Sequence, residues 1–195
     1  MTEPAGNNDP AGGMRQRILE TASSLFYEHG VRAIGVDLVV ERAGIAKTSL
    51  YRHFRTKDEL VAAFLEREDA AFWQAWDDVA ARHRDDPEAE LLAHMGWIAE
   101  RVARPGYRGC PQINVAAEFP ESGHPARQVE YEHKREMRRR IQALGERMQM
   151  ADPAGFSASL SVFINGAFVS SRVLDPGEAK PVLADTAAAL LSAYR

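Results

Sequence analysis

Between Val36 and Leu60, two short apolar patterns are joined by a tight turn at Ala43-Gly44-Ile45. The first carries Leu38, Val39 and Ala43; the second starts near Ala46 and carries Leu50 and Phe54. Apolar residues three or four apart share one face of a helix, so each pattern reads as a short amphipathic helix. The glycine between them supplies the backbone freedom that an abrupt change of direction requires. Two short helices joined so tightly cross at a steep angle, which is helix-turn-helix spacing, here over about residues 37–56.

The remainder of the chain is also helical in pattern. Met14, Ile18, Ala22, Leu25 and Phe26 form one stripe, with Gly30 placed to cap its C-terminus. Thr56-Lys57-Asp58-Glu59 reads as a capping box that opens a long helix through Val61, Phe64, Leu65, Phe72 and Trp76. Pro87 opens a helix holding Leu91, Met95, Ile98 and Val102, and Cys110 precedes Pro111 as the N-cap of a short one. A polar helix over about 126–150 and two apolar ones near 153–174 and 178–194 complete the pattern. The polarity of the first of these three predicts a solvated outer helix. With no strand alternation, about nine helices predict an all-α fold.

The net charge of −4 is unhelpful to nucleic-acid binding, but its distribution is uneven. Residues 14–58 hold eight Lys/Arg against five Asp/Glu, whereas the flanking segments are acidic. Local basic charge suits one face that meets phosphate on an otherwise acidic molecule. Residues 1–13 are rich in Gly, Pro and Asn and are expected to form a disordered tail. They lack the apolar core of a signal peptide, and no apolar stretch reaches membrane-spanning length. One cysteine excludes an internal disulfide framework and fits a reducing compartment, so a cytoplasmic location is expected.

On a helix wheel, Ala46, Leu50 and Phe54 face inward. Thr48, Ser49, Tyr51 and Arg52 point elsewhere, with Lys47 on the flank. Small, polar, aromatic and basic side chains reach base edges and phosphates without blocking close approach, so this helix is expected to enter a DNA major groove.

At this point the residues resemble the TetR family of bacterial repressors, on Ala43-Gly44-Ile45, Leu50-Tyr51-Arg52-His53-Phe54 and Lys57-Asp58-Glu59-Leu60. The resemblance covers roughly residues 14–60. It implies phosphate contacts by Tyr51, His53 and Lys57, and base or nearby phosphate contacts by Lys47, Thr48 and Ser49, while Arg52 is open to an ion pair as well as to DNA. Two positions depart from the pattern. Gly35 stands where a Thr or Ser cap is common, which would pass capping to Asp37 or weaken it, and Val40 stands where alanine is common. The resemblance further implies a homodimer that binds double-stranded operator DNA through residues 14–58. Residues 59–195 would bind a small apolar or amphipathic effector and dimerise through the last two helices. Phe156, Leu160, Phe163, Ala167, Phe168 and Ser171 give one apolar face there, and Leu183, Ala187, Leu190 and Leu191 another.

Effector pockets are mainly apolar and aromatic with a few polar groups. Trp73, Trp76, Met95, Trp97, Asn114, Phe119, Phe163 and Asn165 are the residues that could line one, although aromatics at helical spacing also serve as plain core. Asn165, an amide in an apolar run, could face a ligand or a second subunit.

Enzyme signatures are lacking, and no cofactor, catalytic group or metal site is expected. Glu130-x-x-His133 lacks the second copy that a carboxylate-bridged metal site needs. The alternative function is a helical ligand-binding or redox-sensing protein in which Cys110, at a helix start, reacts as a thiolate. The basic cluster Lys134-Arg135 and Arg138-Arg139-Arg140 has Glu130, Glu132 and Glu136 one turn away, which favours ion pairing over a second nucleic-acid patch.

Overall fold

The computed structural model describes residues 10–121, 123–170 and 173–195. Nine helices and no strand occur among the described residues: α1 Pro10–His29, α2 Val36–Ala43, α3 Lys47–His53, α4 Lys57–Ala81, α5 Pro87–Val102, α6 Pro111–Glu118, α7 Pro125–Arg147, α8 Pro153–Ser170 and α9 Pro176–Tyr194. None of the described helices is long and apolar enough to cross a membrane. The expected tail 1–13 falls partly outside the described residues, and where description begins the chain is already helical, at Pro10. Ser171 also lies outside them.

The helices bury two apolar clusters. In the first, Ile18, Ala22, Leu25 and Phe26 of α1 pack with Leu50, Phe54, Leu60 and Phe64. Each of the larger of these side chains, the Ile, Leu and Phe, contributes about 1.5–3 kcal/mol relative to exposure. Gly30 ends α1 with φ +85° and donates its N–H to Phe26 O at 2.9 Å. The second cluster gathers the inner faces of α5, α7, α8 and α9 around Phe72 and Trp76. Helix α4 runs through both, with Leu60 to Leu65 in one and Phe72 to Trp76 in the other.

Two expectations change here. Helix α7 is no outer helix: it packs on α8, α4 and α6 and buries His133, Met137, Ile141 and Leu144. Its polarity is concentrated on the other side, where Glu132 pairs with Arg135 and Glu136 with Arg139 and Arg140. The hydrogen bonds from Arg139 and Arg140 hold the Glu136 carboxyl down at about 2 despite some burial. The other change concerns the last two helices. Phe156, Leu160, Ala167 and Phe168 point into the chain's own core, as do Leu183, Ala187 and Leu191. The large apolar side chains that α8 and α9 leave exposed are Val162, at 73%, Val169, at 65%, and Val182.

Candidate nucleic-acid interface

The α2–α3 turn closes through Gly44, whose left-handed backbone (φ +61°, ψ +46°) lets its N–H donate to Glu41 O at 3.1 Å. The Arg17 guanidinium of α1 donates to Ala43 O and so ties the turn to α1. A Cβ on Gly44 would lie 3.0 Å from an Arg17 guanidinium nitrogen. Gly44→Ala is therefore expected to destabilise the fold by about 1–2 kcal/mol, the cost of a left-handed L-residue, read from a urea midpoint by circular dichroism. A midpoint equal to that of the unmodified chain would contradict the turn geometry.

Helix α3 is held from behind. Leu50 and Phe54 are fully buried, and the Arg15 guanidinium lies 4.7 Å from the Phe54 ring centroid. The opposite side is open: Lys47, Thr48 and Arg52 are exposed, Tyr51 is 43% exposed, and Ser49 and His53 are half-buried. Ala46 differs from its expected inward position, because it is the extended N-cap residue and is exposed.

Two polar details were not legible in the sequence. Lys47 Nζ sits 2.6 Å from Asp37 Oδ1, an exposed pair that raises the Lys47 pKa through the hydrogen bond. Asp37 is thereby engaged, and no side chain caps α2 at Gly35. Lys57 Nζ donates to Val31 O at 2.7 Å, and partial burial pulls its pKa down. Its ammonium is thus turned toward the α1–α2 turn in the free chain. The capping box at α4 is divided: Thr56 Oγ1 accepts from Glu59 N at 3.1 Å, while the Glu59 carboxylate takes the N–H of Arg55 at 2.8 Å.

A further residue belongs to this region although it lies far away in sequence. The Glu118 carboxylate, at the end of α6, accepts from the N–H groups of Val31 (3.0 Å) and Arg32 (2.6 Å). The other end of α6 is fastened to α4 by Gln112, whose Nε2 donates to Leu65 O at 3.1 Å. Before α6, the Arg108 guanidinium donates to Glu28 O, and the Tyr27 hydroxyl accepts from Arg108 N at 2.9 Å. After it, His124 stacks on Phe119 at 4.0 Å and faces Asp58 at 3.4 Å. Two helices, α4 and α6, therefore connect the α1–α3 unit to the rest.

The side chains expected to line a pocket lie in several places. Trp76 and Met95 are buried in the second cluster, with Trp73, Trp97 and Phe163 packed against it. Phe119 packs against the first cluster. Asn114 is exposed and donates to Arg108 O at 2.9 Å. The Asn165 amide is satisfied at both ends, accepting from Lys134 Nζ and donating to Ser161 O at 2.7 Å. Between α4, α5, α6, α7 and α8 lies a gap of only about 10 Å3, bounded by Phe72, Cys110, Gln112, His133 and Phe168. His133 Nδ1 lies 2.5 Å from Asp69 Oδ1, and among the described residues no group of three or more His, Cys, Asp or Glu is placed to hold a metal ion.

The model of the bacterial regulatory proteins of the tetR family matches residues 18–64, a span running from the first buried position of α1 into α4. Over 62 residues, the chain is 42% identical to the transcriptional activator FasR of Mycolicibacterium smegmatis, a stretch covering 32% of this chain and 28% of FasR. It is 39% identical over 67 residues to the transcriptional repressor KstR2 of Rhodococcus jostii, covering 32% of this chain and 33% of KstR2. These matches span about a third of the relatives' length. The whole-chain similarity comes from the crystal structure of sav143, a TetR transcriptional regulator of Streptomyces avermitilis. It is 30% identical, with a TM-score of 0.78, over 93% of this chain and 97% of that one. With the motif and nearly the full length both matched, the chain belongs to the TetR family of transcriptional regulators.

Proposed function

We propose that the protein is a repressor that holds operator DNA as a homodimer and releases it when a small molecule binds its helical body. The observation that carries this reading is the two-sidedness of α3: Leu50 and Phe54 are fully buried, while Lys47, Thr48, Tyr51 and Arg52 face solvent. Ser49 and His53 stand at its edges, and Lys57 joins them once its ammonium leaves Val31 O. Residues 14–58 form the DNA-reading unit and residues 59–195 the effector and dimer unit. A second copy joins through the outward side of α8 and α9, at Val162, Val169 and Val182, so the two α3 helices meet successive major grooves about 34–36 Å apart.

Release requires the effector to prefer a dimer whose reading helices have the wrong separation. A tenfold loss of DNA affinity needs about 1.4 kcal/mol of such preference. Helices α4 and α6 are the connections through which a change in the body reaches α3.

The test is a fluorescence-anisotropy titration of DNA from beside its own gene at several salt concentrations. Affinity is expected to fall linearly on a log–log salt plot, and Lys47→Ala is expected to reduce that slope by about one. Tyr51→Phe is expected to weaken every fragment by about 0.5–1.5 kcal/mol, the worth of one hydrogen bond, with the slope intact. No salt-dependent binding to any genomic fragment would sink the reading.

A further inference from the structure

We propose that the cleft between α1, α4 and the end of α5, together with the buried gap behind it, forms one site for an amphipathic organic anion, and that this is the effector class. The inference rests on the reading that the helical body binds an effector. The cleft has a volume of about 390 Å3 and opens to solvent. Arg67, Arg101 and Arg104 line it against a single carboxylate, that of Glu68. None of the three guanidiniums forms an ion pair among the described residues, in contrast to Arg135, Arg139 and Arg140 on α7. Guanidiniums gathered without counter-charges in a concave, protein-walled space favour a carboxylate or phosphate, which they bind through charge-assisted and often bidentate hydrogen bonds. The Tyr107 hydroxyl is buried in the same wall, beside Arg101.

Arg101 and Glu68 also line the small gap, so the two spaces meet at these residues. The Arg101 guanidinium lies 5.8 Å from the Phe72 ring centroid, and Phe72 and Phe168 meet edge to face at 6.3 Å across the gap. Their rings would flank a flat apolar body. Two buried polar atoms in the wall of the gap have no partner among the described residues, Gln112 Oε1 and His133 Nε2. Buried polar atoms are rarely left so, and one that lines a cavity is a place where a ligand or water can bind. Gln112 has its amide nitrogen committed to Leu65 O, so its oxygen needs a donor. His133 has Nδ1 committed to Asp69. A ligand hydroxyl supplies the donor that the Gln112 oxygen lacks, with His133 Nε2 beside it in the same wall. At about 10 Å3 the gap holds at most about one water, so the apolar body enters only as Phe72 on α4 or Phe168 on α8 gives way. Phe72 belongs to the helix that continues down to Lys57, which links filling of the gap to the position of α3.

The probes are 4-hydroxycinnamate, cinnamate and 4-hydroxycinnamyl alcohol, titrated by calorimetry and by tryptophan fluorescence. Trp73 and Trp97 both lie 5.0 Å from Phe72 and report on the gap. The hydroxylated anion is expected to bind at least about tenfold more tightly than the alcohol or the unhydroxylated acid. The double variant Arg67→Gln, Arg104→Gln, checked for folding by circular dichroism, is expected to lose about tenfold for both acids and nothing for the alcohol. Equal binding of acid and alcohol, unchanged acid affinity in the variant, or no binding of any probe at millimolar concentration would overturn the site. Release of labelled DNA separates this from the effector reading. Acid binding without release sinks that reading and leaves the site standing; release by the neutral alcohol alone does the reverse.

Discussion

Replacing Phe54 with alanine is expected to destabilise the α1–α4 unit by about 3–5 kcal/mol, which is much of the stability that a domain of this size has. Phe54 is fully buried at the end of α3, and its N–H donates to Leu50 O at 2.9 Å. The ring is walled by the first apolar cluster on one side and by the Arg15 guanidinium on the other. Such a wall cannot collapse fully onto an alanine, so the loss combines transfer free energy with an unfilled cavity. DNA affinity should fall with it, because α3 keeps its orientation only while Leu50 and Phe54 anchor it. Tyr51→Ala supplies the contrast: an exposed side chain whose removal is expected to change stability by no more than about 0.5 kcal/mol while still weakening DNA binding. Urea unfolding of the three chains checks both halves. A Phe54→Ala midpoint close to that of Tyr51→Ala would mean that α3 is not held from behind as its burial indicates.

This contrast was visible in the sequence because it is local. The 3.6-residue period placed Leu50 and Phe54 together, and Gly44 marked the turn within a few residues. Ala46 was misplaced for an equally local reason. It falls in phase with Leu50, but it is the N-cap, where the backbone is extended and the helical period does not yet apply. The polar partners could not be read in this way. Lys57 meets Val31 and Glu118 meets Val31 and Arg32 across separations set only by tertiary packing. The same holds for α7, whose low apolar content suggested a solvated helix. Four well-spaced residues, His133, Met137, Ile141 and Leu144, were enough to bury one of its faces. Periodicity also found the apolar faces of α8 and α9 without revealing which surface covers them. The answer was the chain's own core, leaving Val162, Val169 and Val182 outward. The cleft was missed because its three arginines come from two helices and a loop, each ordinary where it stands in the sequence.

The chain is expected to lose stability steeply in mild acid, and His94 to account for one proton's share of the loss. His94 is fully buried on α5, its ring stacked on Trp76 at a centroid distance of 3.7 Å, with neither nitrogen hydrogen-bonded. Glu90 lies 3.7 Å from Nε2, but its carboxylate is already engaged by Arg147 at 2.6 Å. Burial, reinforced by the charges of His83 and Arg140, pushes the imidazole down to about 3 from its ordinary 6.5. Between those two values the unfolded chain holds a proton that the folded chain does not. The stability contributed by the neutral ring is therefore fully present above about pH 6.5 and declines as pH falls toward 3, by about 1.4 kcal/mol per unit. In His94→Leu, which keeps an apolar side chain against Trp76 and has nothing to protonate, that share of the slope disappears. Relative to its own value at pH 7, the variant should retain about 2–3 kcal/mol more stability at about pH 4.5 than the unmodified chain does. Comparing two chains that differ at one residue removes the titrations they have in common. Urea midpoints at a series of pH values decide the matter: parallel stability profiles for the two chains would show that His94 is not the buried neutral group described here.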